Sequence, residues 1–215
     1  MGKNHQKFFT LVNVEVSMNL KLYLASLWLP KYIMIRELDR LATATIDGLD
    51  NLLENSKKDK FNLNQLKKND IEGRRGEMAS IHNQKVKKLI DVYGYSKGIE
   101  IGRRAMYQVG LNLGLDARRR LGVGNTLKDL EFAAKILYKV LGIEFRLETR
   151  GEKLFLIVNR CTLADYYTSD TCRVLSAADE GVFHGLSSGA NMKFEKRITE
   201  NEPECMACIK MEGDV

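Results

Sequence analysis

The chain has 215 residues and a formal net charge of +6, with 44% hydrophobic and 29% charged side chains. That length fits one domain with an extension, or two small domains. The composition, with only two prolines, excludes a disordered or loop-dominated chain. The positive balance permits attraction to nucleic acid or an anionic surface. No basic recognition motif and no aromatic interleaving accompany it, so it reads as a solvated face, and nucleic acid is not favoured as a partner.

The N-terminal MGKNHQKFF is not followed by an apolar core ending at a small-residue cleavage site. The expected location is therefore cytoplasmic. Residues 1–32 read as an N-terminal extension. Within it, Leu22 to Pro30 is apolar but bracketed by Lys21 and Lys31. A spanning helix needs about 20 apolar residues, so no transmembrane span is expected. An interfacial anchor and a helix packed on the domain both remain open, as does a start at Met18 or Met34. No periodic pattern ties the segment to residues 78–211, so it is expected to be dispensable for their fold.

Residues 33–77 read as a helix followed by a polar basic linker. Ile35, Leu38, Leu41, Ala42, Ile46, Leu49, Leu52 and Leu53 recur at helical spacing. Asn55 to Glu77 is basic and lacks a period, with a helical turn open at Leu63–Lys68. Residues 78–215 carry the main domain. Met78 to Tyr93 is a helix ended by Gly94. Ile99 to Leu121 is a second, with Gly102, Gly110 and Gly114 along one face, a pattern that suits close packing. Thr126 caps a third helix, which ends at Gly142.

Next, Ile143 to Thr149 alternates apolar and charged residues, Arg150-Gly151-Glu152 turns, and Lys153 to Asn159 returns. Asp170 to Ser187 reads as a helix. Met192 to Ile198 and Cys205 to Met211 form a second hairpin. The fold class is therefore α+β, with N-terminal helices packed on an antiparallel sheet built from two β-hairpins separated by a helix.

All four cysteines fall in this last part: Cys161, Cys172, Cys205 and Cys208. Grouped thiols in a reduced compartment are metal-binding or reactive more often than disulfide-bonded. Cys161, Cys172 and Cys205 sit at element ends and are expected to converge on one rim, with Cys208 or Asp179 as a fourth ligand. Zinc or an iron–sulfur cluster is the cofactor such a set would hold. In an extended strand, residues 205 and 208 face opposite sides, so a shared metal needs a bulge between them. The other reading of Cys208 is a small core residue. Asp179 falls on the helix face of Cys172, as a carboxylate beside the thiols. Arg103 and Arg104, next to glycines, are the favoured anion-binding pair, ahead of Arg118-Arg119-Arg120. Asp165, Tyr166 and Tyr167 are candidates for a pocket mouth, and His184 reads as a surface residue.

Four features together carry a resemblance: the GRR at Gly102-Arg103-Arg104, the helix ending in Leu141-Gly142, the cysteine helix with Ala177, Ala178, Gly181 and Gly185, and the closing FEKRITENEPECMACIKM. Met78 to Met211 resembles the 4-vinyl reductase-type domain, a small-molecule-binding α+β module related to Golgi-transport and nitric-oxide-sensing ligand domains. Cys161 adds a likeness to the L-2-amino-thiazoline-4-carboxylic acid hydrolase-like group. The chain departs from the pattern at Arg197 or Ile198, where a second cysteine is usual.

The resemblance implies a small-molecule- or metal-binding domain with a cysteine-lined site. The alternative is a hydrolase that holds a substrate carboxylate on an arginine. No complete Cys-His-Asp set is legible, and fold likeness alone transfers no reaction. Whether the chain is an enzyme stays open. The expected partner is a small molecule, with a homodimer open.

Overall fold

A computed structural model of the chain describes residues 19–53, 66, 68–187 and 189–210. Six helices and four strands run in the order α1 (Leu20–Leu27), α2 (Lys31–Asp50), α3 (Ile71–Tyr93), α4 (Tyr95–Leu121), α5 (Leu127–Leu141), β1 (Ile143–Arg150), β2 (Lys153–Cys161), α6 (Ser169–Ser187), β3 (Asn191–Lys196) and β4 (Cys205–Lys210). The class is α+β, as the order of apolar periods implies.

The strands form one antiparallel sheet in the order β1-β2-β4-β3. Both hairpins therefore form, and they join through β2 and β4, with Val158 opposite Cys205. Alternation decides the faces. Cys205, Ala207 and Ile209 enter the core with Leu156, Val158, Met192 and Phe194, while Met206 and Cys208 lie on the other side. β2 runs to Cys161, two residues beyond the expected end at Asn159. Met211, expected to close β4, lies outside the described residues.

Local chemistry sets the helix limits. Thr126 Oγ1 accepts from the Asp129 N–H at 3.1 Å, the N-cap expected from the sequence. Asp70 Oδ1 accepts from Gly73 N–H at 2.7 Å and opens α3 at Ile71, seven residues before the expected start. The end of the expected linker is thus helical; residues 54–65 and 67, which include Leu63 of the expected turn, lie outside the described residues. The reason is a buried arginine on that added turn. Arg75 donates through Nε and Nη2 to the Val140 carbonyl at 3.0 and 2.8 Å, and through Nη2 to the Lys139 carbonyl at 2.9 Å. It satisfies the free carbonyls at the end of α5 and ties α3 to it.

The apolar N-terminal run is a helix packed on the domain. Leu22 is 1% exposed, among Ala117, Val123, Leu130, Ala133, Ile136 and Leu186. Tyr23 meets Phe132 edge-on with centroids 5.4 Å apart. Asn19 Nδ2 donates to the Gly122 carbonyl at 3.0 Å. Burying Leu22 contributes about 2 kcal/mol, while Leu20, Leu24, Leu27, Trp28 and Tyr32 stay exposed; thermal unfolding after deletion of the segment measures how far the domain depends on it. The segment's short, nearly uniform apolar run gave no period to read. Residues 1–18, with the alternative start at Met18, lie outside the described residues.

α4 and α6 meet backbone to backbone. A methyl group at Gly110 would overlap the Ala178 carbonyl oxygen, and one at Gly114 the Val182 carbonyl oxygen. From the other side, Gly181 abuts the Tyr107 carbonyl and Gly185 the Leu111 carbonyl. The glycines of α4 thus serve helix packing, and α6 is pressed backbone to backbone against it.

Candidate functional site

The opposite face of α6 borders a cavity of about 120 Å³. Cys172, Leu175, Ser176, Asp179 and Val182 come from α6, Thr45 from α2, His82 from α3, and Tyr138 and Leu141 from α5. β2 contributes Val158 and Cys161. Phe194, Arg197 and Cys205 close the end against the sheet, and Glu37, Arg40 and Arg120 border the opposite end. The lining is predominantly apolar, with a few convergent polar groups, the usual composition of a ligand site.

Cys161, Cys172 and Cys205 are each among the residues that line the cavity. Burial pushes the Cys161 thiol up to about 12 and the Cys172 thiol up to about 11, and raises Cys205 as well. All three stay protonated near neutral pH, which makes them poor nucleophiles. Cys205 Sγ instead accepts the Ile198 N–H at 3.3 Å. Cys208 lies on the far face of the sheet and does not line the cavity. The alternation of β4 separates it from Cys205: β4 pairs with β2 without a register shift, and the irregularity opposite Met206 and Ala207 has its extra residue on β3. Among the described residues no group of three or more His, Cys, Asp or Glu side chains is placed to hold a metal ion. The four-thiolate metal site expected from the sequence is thus not supported.

Asp179 is enclosed by protein, and the surface it keeps opens into the cavity. No described residue hydrogen-bonds or ion-pairs with its carboxyl. Burial, and then the neighbouring Glu180, push its pKa up to about 7. A carboxyl without a partner in a dry wall avoids the cost of charge by keeping its proton.

His82 is 1% exposed and forms a defined relay. Thr45 Oγ1 donates to the Leu41 carbonyl at 2.8 Å, so it accepts from His82 Nε2–H at 2.9 Å. Nδ1 then accepts from the Tyr167 hydroxyl at 2.8 Å. Burial, reinforced by Lys85, holds the imidazole pKa down to about 3. With both ring nitrogens engaged and the ring neutral, His82 orders the wall and is not free to act as a base.

The favoured arginines lie elsewhere. Arg103 donates to Glu180 at 2.8 and 3.1 Å and to the Arg173 carbonyl at 2.6 Å, and does not line the cavity. Arg104 pairs with Glu100 on the exposed face of α4. Of the later run, Arg118 donates to the Leu186 carbonyl, Arg119 is exposed, and Arg120 joins the cavity rim. Tyr167 lines the cavity, whereas Tyr166 is exposed and hydrogen-bonds Glu72. His184 meets Asn191 at 3.1 Å. Arg197, His82, Thr45 and Tyr138 were not singled out by sequence reasoning. The one available signal was Arg197 standing at the departure from the family pattern.

No family model matches the chain, and no curated protein matches it. Among solved structures, it is similar to a trafficking protein particle complex subunit 3 from Naegleria fowleri covalently bound to palmitic acid. The TM-score is 0.52 at 13% identity, over 64% of this chain and 95% of that one. A second similar structure is the phenol-responsive sensory domain of the transcription activator PoxR with phenol. Its TM-score is 0.46 at 13% identity, over 76% of this chain and 88% of that one. The first likeness shows a shared fold. Among the described residues no helix is long and apolar enough to cross a membrane.

Proposed function

We propose that the chain is a small-molecule-binding domain of the 4-vinyl reductase type, whose ligand occupies the cavity between α6, the other helices and the sheet. The observation that carries this is the cavity itself, an apolar space into which Asp179 presents an unpartnered carboxyl. Its volume, about 120 Å³, is comparable with that of an engineered apolar cavity of ~150 Å³ that takes up benzene. The structure of like fold is covalently bound to palmitic acid, which supports an apolar small-molecule ligand for this fold. Binding without turnover is favoured over hydrolysis because the thiols are held protonated and His82, the one cavity histidine among the described residues, is engaged at both nitrogens.

Thermal unfolding in the presence of toluene, indole and 1-hexanol tests the reading. At least one should raise the melting temperature in a concentration-dependent way, as binding to the native state alone requires. Val182→Phe, which places a ring in the cavity, should remove that response while the protein still unfolds cooperatively. An unchanged response in Val182→Phe would show that these molecules bind elsewhere.

A further inference from the structure

The inner end of the cavity contains an arginine whose hydrogen-bonding capacity is largely unused. Arg197 comes directly after β3, is 7% exposed and lines the cavity. Its Nε donates to Ser176 Oγ at 3.2 Å, and its guanidinium carbon lies 5.8 Å from the centroid of the Phe194 ring. The nearest carboxylate oxygen, Glu200 Oε2, is 3.6 Å from Nη1, beyond hydrogen-bond distance. Glu200 is already held by Arg173, which donates to Oε1 through Nη2 at 2.6 Å and Nε at 3.0 Å. Two guanidinium groups thus share one carboxylate.

Asp170 acts on the charge of Arg173 but does not line the cavity. Glu180 is occupied by Arg103 and by the Phe194 N–H, at 2.8 and 3.2 Å. The Cys172 and Cys205 thiols beside Arg197 are protonated, and Asp179 holds its proton up to about pH 7. Among the described residues Glu200 is the acid that ion-pairs with Arg197, and it is hydrogen-bonded to Arg173, so Arg197 lacks a hydrogen-bonded counter-ion. A buried cation in that position is costly until an anion meets it. A guanidinium fork with free Nη donors matches the two oxygens of a carboxylate.

Resting on the cavity reading above, we propose that the ligand is a small monocarboxylate with a compact apolar body. Its carboxylate lies on the Arg197 guanidinium, and its body lies against Leu175, Val158 and Tyr138. The volume suits one six-membered ring, and the apolar walls suit an unsubstituted one.

Calorimetric titration with benzoate, its neutral isostere benzamide and toluene separates the two claims. Benzoate should bind the native protein at least tenfold more tightly than benzamide. Arg197→Gln should bring benzoate to the level of benzamide and leave toluene binding in place. Arg197→Lys, which keeps the charge but loses the fork, should fall between. Equal binding of benzoate and benzamide to the native protein would overturn the assignment without needing a variant, as would a benzoate preference that survives in a folded Arg197→Gln. Binding of toluene and benzamide but not benzoate would leave the cavity reading intact and refute the carboxylate. Failure of all three to bind would refute both.

Discussion

The two faces of α6 are built on opposite plans. Towards α4, Gly181 and Gly185 meet backbone atoms, and Gly110 and Gly114 receive the carbonyls of Ala178 and Val182. Towards the sheet and α5, the same helix presents Cys172, Ser176, Asp179 and Val182 to an open space. A helix fixed this closely on one side needs no filler on the other. The cavity therefore stays open because collapse would require α6 to leave a contact that has no slack. The buried Arg75 cap braces a second wall, holding α3 to the end of α5.

The sealed face should be the most sensitive. Gly110→Leu forces a branched side chain into the Ala178 carbonyl, and overpacking against backbone exceeds the usual cost of about 1–3 kcal/mol. We expect loss of cooperative thermal unfolding; a variant that melts within a few degrees of the native protein would show that the helices can part at little cost.

The open face should announce itself through pH, with two limbs of opposite sign. In the fold Asp179 has a pKa of about 7, against about 3.9 for an unfolded aspartate. Its stability contribution is full below pH ~4 and is lost as pH rises to about 7. His82 is the reverse, at about 3 in the fold against about 6.5 unfolded. Its contribution is full above pH ~6.5 and is lost as pH falls towards 3. At most the limbs amount to about 4 kcal/mol for Asp179 and about 5 kcal/mol for His82. Urea unfolding between pH 4 and 8 should find Asp179→Asn more stable than the native protein at pH 8, and the advantage should vanish near pH 4. The two limbs oppose each other between pH 4 and 6.5, so His82→Gln should uncover the Asp179 limb as a fall in stability across that range, which the native protein offsets. Parallel pH curves for native and variant proteins would contradict the burial of the group concerned.

The smallest expected effect compares two valines of α6. Val174, fully buried beside Gly102, should cost about 2 kcal/mol when cut to alanine, whereas Val182, on the cavity wall, should cost about 1 kcal/mol. Chemical denaturation of the two variants measures the difference; equal losses would mean that the cavity wall is packed as tightly as the seal.

What was legible in the sequence divides along similar lines. The hairpins, the order of elements from α4 onward and the glycine face derive from local period and turn chemistry, and they appear in the fold. The site itself was read less well. Arg103 looked like an anion binder because glycines flank it, but Glu180, 77 residues later, consumes its donors. Arg197 looked like a mere gap in a pattern, yet it lines the cavity, as Arg40 and Arg120 also do. His82 enters from α3, and no spacing links it to Tyr167, 85 residues away. Periodicity reports which side of an element is buried. Whether a buried polar group is already satisfied depends on partners that the fold supplies. The same limit explains the fourth thiol: strand alternation argued against Cys208 sharing a site with Cys205, and its place on the outer face obeys that alternation.

The rim of the cavity has a consequence for time rather than for affinity. Arg120 donates to Asp116 at 2.7 Å and to Glu37 at 3.0 Å, and Arg40 reaches Asp116 at 2.7 Å, so ion pairs lace α2 to α4 across that end. These pairs are partly exposed, and each is worth about 1 kcal/mol or less. A molecule passing that way must part them briefly and lets them re-form behind it, so they add to the barrier for exit as much as for entry. Because salt screens such contacts, residence in the cavity should shorten as ionic strength rises while the equilibrium occupancy changes little.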